Sequence, residues 1–201
     1  MKISFILPIR NEEDFIEKTI QSILSQTSKA VQEFIFVDGM SRDNTINIIN
    51  NYKKQDSRIS IIDNPECIVS TGFNRGLNNT TGEVIIRVDG HSEITPVFLE
   101  NCLKVLKETK AECVGGPINQ IAAGIVGKAI TIAQSSNFGV GKVAFRKKTK
   151  KGRNVDTLAF GAYKREVFEN LGGYDEELVR NQDDEFNFRL IQNGGKIWLD
   201  P

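Results

Sequence analysis

The sequence predicts an α/β protein, a mainly parallel sheet flanked by helices. Two observations carry this. Short apolar runs rich in β-branched residues alternate with amphipathic helical stretches through the first 110 residues, the pattern of repeated strand–helix–strand units. Three of these strands run directly into polar clusters, "PIRNEE", "DGMSRDNT" and "DGHSE", and open parallel sheets bind ligands at the carboxyl ends of their strands.

The elements follow in order. "KISFILPI" is the first strand, and residues 12–26 form a helix in which Phe15, Ile16, Thr19, Ile20, Ile23 and Leu24 share one face while Glu12, Glu13, Glu17 and Lys18 take the other. "EFIFVDG" is the second strand, residues 44–54 a helix, "RISIID" the third strand, residues 70–79 a helix, "EVIIRVDG" the fourth strand and residues 96–110 a helix. After "ECVGGPIN" come a small-residue helix at 122–136, a basic tract at 142–153, the stretch "LAFGAYKREVFENLGGYDEE", a helix at 183–193 and a closing strand in "KIWLDP". No internal repeat and no Pro- or Ser-rich linker divides the chain. It reads as one domain, 1–201, with a nucleotide-type half to about residue 115 and a half over about 116–201 that closes the site. A chain of this length buries about 70% of the surface its unfolded form exposes.

Twenty-six basic residues balance 26 acids, so no global field draws the chain to nucleic acid, and electrostatic partners are met locally. Cys67, Cys102 and Cys113 are odd in number and lack CxxC spacing, which predicts free thiols in the cytoplasm. No run approaches the roughly 20 apolar residues that span a bilayer. The basic tract holds Lys142, Arg146, Lys147, Lys148, Lys150, Lys151 and Arg153 with no acid. It is either a solvated loop or a peripheral contact with anionic lipid at the inner membrane face, or with a lipid-phosphate acceptor.

The polar strand ends carry the candidate chemistry. Asp89 and His91, the chain's single histidine, can face one divalent ion, with Gly90 removing side-chain bulk between them. Oxygen and nitrogen together suit Mn²⁺ or Mg²⁺ completed by phosphate oxygens and water. The competing reading is an Asp-Gly turn with a solvated histidine, and three polar clusters on neighbouring strand ends favour the ion. "DGMSRDNT" reads as a binding loop or as a turn with an N-cap at Asp43. "NQDDE" sets Asp183, Asp184 and Glu185 at a helix start, where carboxylates either cap the helix or accept a proton. "GVGKVA" at 139–144 matches a dinucleotide-binding loop, but it follows no strand and has no carboxylate about 20 residues on, so a dehydrogenase is not expected.

In order, "PIRNEE", "VDG" with "SRDNT", "GFNRGLNNTTGEVI", "VDGH", "GGYDEE" and "NQDDEFNFRL" resemble glycosyltransferase family 2, of GT-A fold, in particular the succinoglycan-synthesis branch. The resemblance implies an inverting enzyme that uses Mn²⁺ or Mg²⁺. It would move a sugar from a nucleotide-diphosphate-sugar, most often a UDP-sugar, to a hydroxyl of a saccharide or lipid-linked saccharide. Carried over, Pro8, Arg10, Asn11 and Glu12 shape the nucleoside pocket, Ser41, Asp43 and Asn74 belong to the donor-binding loops, and Asp38 bonds the base. Asp89 lies by the ribose and the metal, His91 takes the metal-binding place of a second acid, and Asp183 is the general base. Tyr163, Tyr174 and Asp184 fall on the acceptor side, the two tyrosines as sugar-stacking rings or as packing. Two positions depart from the family pattern. Gln182 replaces a Glu, which bears on how the base is positioned, and Phe73 replaces an Arg before Asn74, which bears on a phosphate contact. No "QxxRW" motif of processive synthases occurs, which points to single-sugar addition. The competing class is a domain that binds nucleotide-sugar without catalysis, separable by turnover.

Overall fold

The computed structural model describes residues 1–121, 124–135, 143–146 and 150–201. The predicted alternation is present as β1 (Lys2–Ile9), α1 (Ile16–Leu24), β2 (Val31–Asp38), α2 (Thr45–Lys53), β3 (Ile59–Asp63), α3 (Val69–Asn78), β4 (Val84–Arg87) and α4 (Phe98–Thr109). It continues through β5 (Cys113–Gly115), α5 (Gly124–Ser135), a 3₁₀ turn at Ala144–Arg146, β6 (Arg153–Val155), β7 (Ala162–Lys164), α6 (Arg165–Leu171), α7 (Gln182–Gln192) and β8 (Ile197–Leu199). The described strands form one sheet in the order β3-β2-β1-β4-β7-β5-β8-β6. Only β7 and β6 run against their neighbours. Ile9 pairs with Asp38 and Asp38 with Asp63, so β1, β2 and β3 end level and their loops open together.

Strand alternation divides the core into two faces. Ile3, Phe5, Leu7, Phe34, Phe36, Val84, Ile86 and Val88 pack with Ile16, Ile20 and Ile23 of α1, Ile49 of α2 and Leu99 of α4. Ile6, Ile35, Val37 and Ile85 take the other face with Phe73 of α3, Phe168 of α6, and Phe186 and Leu190 of α7. Phe73 stacks on Tyr174 at 4.2 Å between centroids and Phe168 on Phe186 at 4.7 Å, each pair worth about 0.5–1.5 kcal/mol beyond its buried area.

One boundary moves for a specific reason. α1 begins at Ile16 rather than at residue 12, because Phe15, at φ −125° and ψ −30°, stands off the helical backbone. The turn before it is closed by bonds from the N–H groups of Phe15 (2.9 Å) and Ile16 (2.8 Å) to Glu12 C=O, and the N–H groups of Glu12 and Glu13 tie it to the loop after β2 by donating to Thr45 Oγ1 (2.7 Å) and Asp43 Oδ2 (3.1 Å). "GVGKVA" falls outside the described residues up to position 142.

Close packing of α3 on the sheet makes a stability prediction. Replacing Gly76 by Ala removes the entropic penalty of a helical glycine, about 1 kcal/mol, but a Cβ there would lie 2.4 Å from Ile6 Cγ2 and 3.1 Å from Val37 Cγ2. Overpacking of a buried contact costs about 1–3 kcal/mol. Gly76→Ala is therefore expected to lower the urea midpoint, and an unchanged or raised midpoint would count against this packing.

Candidate active site

At the carboxyl end of the sheet the loops after β1 and β2 are stitched together in both directions. Asn11 N–H donates to Ser41 Oγ (2.9 Å), while Arg42 N–H donates back to Asn11 Oδ1 (2.8 Å). Asn44 N–H donates to Glu13 Oε2 (2.8 Å), and the Asp38 carboxylate accepts from both the N–H and the hydroxyl of Ser41. Asn11, Asp38, Ser41 and Asp43 thus hold these loops in shape. Pro8, Arg10 and Glu12 line the adjoining cleft with Asn64, Arg87, Asp89 and His91. Asn64, missed by sequence reasoning, is fixed by its own bond to Ile68 C=O (2.8 Å) and by the Thr71 hydroxyl (2.9 Å).

Four of the five non-glycine residues with positive φ among the described residues, Asn11, Met40, Cys67 and Asn181, lie on these strand-end loops or at the start of α7. A left-handed residue costs roughly 1–2 kcal/mol where no side-chain bond compensates. The strain collects around the cleft, as it does where loop shape serves a ligand.

Arg87 organises the cleft floor. It follows Ile85 by two positions and so shares the face of β4 that meets α7. Buried itself, it places Nε 3.0 Å and Nη2 2.8 Å from Asp89 Oδ1 and Nη1 3.9 Å from Asp183 Oδ2. Burial opposes its charge, but Asp89, Tyr174 and Asp183 around it prevail and hold its pKa above the usual guanidinium range. Arg87 Nη1 is buried without a hydrogen-bond partner, a costly state unless something in the cleft engages it. Sequence reasoning passed over Arg87, although its place two residues before Asp89 in a strand already puts both side chains on one face.

His91 Nδ1 lies 2.9 Å from Glu12 Oε1, and its side chain is 58% exposed. Gly90 is required here because a Cβ would come within 2.7 Å of Glu12 Cγ and 3.0 Å of Ile9 Cγ2; the bulk it omits makes room for Glu12. Among the described residues no three His, Cys, Asp or Glu side chains converge on a metal position. Asp89 and His91 offer one carboxylate and one imidazole to the cleft, and Arg87 binds Oδ1 of Asp89 alone. That donor set fits a divalent ion that takes the rest of its shell from phosphate oxygens and water.

The remaining predicted residues divide. Asp183 and Asp184 occupy the first turn of α7, with Asp184 Oδ1 accepting from Thr157 Oγ1 (2.8 Å) and Asp183 turned toward Arg87. Asn74 clamps α3 to the segment before α7. Its amide donates to Tyr174 C=O (2.8 Å) and Glu176 Oε1 (2.9 Å) and accepts from Tyr174 N–H (2.8 Å), and a Cβ on Gly173 would meet it at 2.2 Å. Tyr163 and Tyr174 are buried and act as packing rather than as sugar-stacking walls; the Tyr163 hydroxyl donates to Asn187 Oδ1 (2.7 Å), and burial pushes the Tyr174 hydroxyl up to about 12 against the pull of Arg87. Phe73 belongs to the same aromatic cluster, so position 73 contributes packing. Gln182 is buried at the start of α7. Cys102 and Cys113 are buried free thiols, and burial raises Cys102 to about 12. Lys142, Lys147 and Lys148 of the basic tract lie outside the described residues.

The hydrogen bond to Glu12 raises the pKa of His91 above its ordinary value, which is about 6.5. A raised folded pKa means that the pair's stabilisation is complete below about pH 6.5 and is lost as pH climbs through the folded value. With a single histidine, one imidazole resonance reports the titration. Its midpoint is expected above 6.5 and to fall in Glu12→Gln, whereas a midpoint at or below 6.5 in the unmodified protein would contradict the pair.

The fold and the family are matched by known proteins. In solved structures, S. aureus TarS 1-349 in complex with UDP-GlcNAc superposes with a TM-score of 0.77 at 19% identity, over 99% of this chain and 56% of that one. The mannosyltransferase PcManGT from Pyrobaculum calidifontis, in complex with GDP-Man and Mn2+, superposes with a TM-score of 0.69 at 18% identity, over 99% and 54%. Both carry the GT-A fold. Among curated relatives, a dolichyl N-acetyl-alpha-D-glucosaminyl phosphate 3-beta-D-2,3-diacetamido-2,3-dideoxy-beta-D-glucuronosyltransferase of Methanococcus voltae is 28% identical over 99% of this chain. The succinoglycan biosynthesis protein ExoA of Rhizobium meliloti is 27% identical over 96%. The chain spans 64% and 59% of those two proteins. The model of glycosyl transferase family 2 matches residues 4–172, and the chain belongs to that family.

Proposed function

We propose that the protein is an inverting glycosyltransferase that moves a sugar from a nucleotide-diphosphate-sugar, in the first instance a UDP-sugar, to a hydroxyl of a saccharide or lipid-linked saccharide. The observation that carries this reading is Arg87, which sets a donor-side carboxylate, Asp89, and an acceptor-side carboxylate, Asp183, around one buried cation. The family membership and the UDP-GlcNAc in TarS support the donor class. The lipid phosphate in the Methanococcus voltae protein's name supports the acceptor class. By domain halves, residues to about 115 would hold the donor and the remainder the acceptor.

Each side chain then has a task. Pro8, Arg10 and Glu12 on the cleft wall hold the nucleoside, and Asp38 keeps the loop beside it closed through Ser41. Asp89 and His91 would hold Mn²⁺ or Mg²⁺, and the Mn2+ in PcManGT supports that assignment. When bound, the ion supplies Lewis-acid neutralisation of charge gathering on the departing phosphate. Binding needs the imidazole unprotonated, so ion affinity rises with pH, and Glu12, which favours the protonated form, moves that rise to higher pH. Asp183 accepts the proton of the attacking acceptor hydroxyl, an effect worth about 10²–10⁴-fold in rate, while the sugar carbon–phosphate oxygen bond breaks and the nucleotide diphosphate leaves.

Asp183→Asn keeps the size of the side chain and removes its basicity. With Mn²⁺ and a UDP-sugar, it is expected to lose about 10²-fold or more in transfer while donor affinity stays near that of the unmodified protein. Transfer above about a tenth of the original rate would assign the base to another residue. Donor binding without nucleotide release by the unmodified protein, across a panel of acceptors, would support the non-catalytic binding domain instead.

A further inference from the structure

We propose that Thr157 is a positioning residue for the transfer reaction: through a buried hydrogen-bond chain it anchors the first turn of α7 and so holds Asp183 at the cleft. That role rests on the transferase reading of Asp183. Thr157 lies between β6 and β7. The antiparallel register of β7 on β4, with Ile86 opposite Ala162, brings the end of this connection alongside Arg87. α7 starts at the same place, with Asp183 Oδ2 3.9 Å from Arg87 Nη1. The chain joins these two segments of the site. The Tyr163 hydroxyl of β7 donates to Asn187 Oδ1 (2.7 Å), Asn187 Nδ2 donates to Thr157 Oγ1 (3.0 Å), and Thr157 Oγ1 donates to Asp184 Oδ1 (2.8 Å). Asp184 and Asn187 lie three residues apart on one side of α7, so a single hydroxyl bonds both.

The direction of the chain is fixed from its buried end. Burial pushes the Tyr163 hydroxyl well above the ordinary tyrosine range, so it stays protonated and donates its one proton to the Asn187 carbonyl oxygen. That turns the amide nitrogen of Asn187 toward Thr157. Having accepted there, Thr157 gives its own proton to Asp184, whose carboxylate can only accept. Bonds aligned in one sense strengthen one another. Asn187 and Tyr163 are both buried, and apolar partners of the same shape could replace such a pair at little cost in stability. What the polar chain adds is a fixed position for the helix start. α7 has no cap of its own, because Asn181 at the N-cap is left-handed at φ 60° and makes no side-chain capping bond. The Thr157 bond supplies the hold that a cap would give. It also divides two adjacent acids: Asp184 is engaged by Thr157, while Asp183, about 100° further back around the helix, stays turned toward Arg87 and the cleft.

Two substitutions separate the hydroxyl from the packing around it. Thr157→Val keeps the shape and removes the hydroxyl, and Thr157→Ser keeps the hydroxyl. Both are compared with the unmodified protein by amide hydrogen exchange and by steady-state transfer from a UDP-sugar with Mn²⁺. In Thr157→Val, exchange at Glu185, whose N–H closes the first turn on Asn181 C=O at 3.0 Å, is expected to quicken about tenfold or more. Its kcat is expected to fall about tenfold to 100-fold, while KM for the donor changes by less than about twofold. Thr157→Ser is expected to restore both. A tie that serves stability alone would lower the urea midpoint of Thr157→Val and leave kcat unchanged, and that result would overturn the proposal. So would unchanged exchange at Glu185, or a Thr157→Ser variant as impaired as Thr157→Val, since the hydroxyl would then not be the operative group. Each of these outcomes leaves the transferase reading standing. Absence of transfer by the unmodified protein, across donors and acceptors, would remove that reading and this role with it.

Discussion

The arrangement of the site depends on one buried charge. A guanidinium removed from water is costly unless carboxylates compensate it, and Arg87 meets that requirement by gathering Asp89 from its own strand end and Asp183 from α7. The same requirement runs in reverse, because two carboxylates brought into one small cleft repel each other without a cation between them. The donor side and the acceptor side are therefore joined through Arg87. Packing of α7 against the sheet, through Phe186 stacked on Phe168 and Leu190 in the same cluster, is what brings Asp183 within its reach.

Around that centre the protein holds loops in shape with side chains rather than with secondary structure. Asn11 and Ser41, Glu13 and Asn44, and Asn74 and Tyr174 are reciprocal or paired clamps between segments distant in sequence. Arg189 adds another, bonded to Glu185 and to the carbonyls of Leu171 and Gly173. Such clamps can hold residues such as Met40 and Cys67 in left-handed conformations that cost energy by themselves. A cleft fixed in this way before ligand arrives loses less conformational entropy on binding.

Much of this was legible in the sequence. The continuous apolar run in "KISFILPI" marks a strand covered on both faces, the helical spacing of Ile16, Ile20 and Ile23 marks the side of α1 that covers one of them, and the polar strand ends locate the cleft. Less legible was the division of labour among polar residues. Asn74 and Asp43 look like ligand contacts in one dimension, and only the partners that tertiary structure brings to them, Tyr174 for one and Glu13 for the other, show that they shape loops. Tyr163 and Tyr174 are similarly ambiguous, since a tyrosine suits a wall or a core equally well until its depth is known. Arg87 was hidden by the opposite effect. An arginine in an apolar strand reads as an interruption, and its meaning appears only once Asp183, nearly a hundred residues later, is packed beside it.

The most direct test of the central role of Arg87 is a double-mutant cycle between Arg87→Met and Asp89→Asn, followed by urea unfolding, with Asp183→Asn as a second partner. The buried cation predicts that Asp89→Asn, which leaves the guanidinium without its nearest countercharge, costs about 3–5 kcal/mol and more than Arg87→Met, which strands only side chains that are 26% and 30% exposed. It also predicts a coupling energy with Asp89 of about 1 kcal/mol or more and a smaller one with Asp183, as its longer separation requires. Additive costs, with coupling below about 0.5 kcal/mol for both partners, would mean that the carboxylates are held independently and would contradict the account.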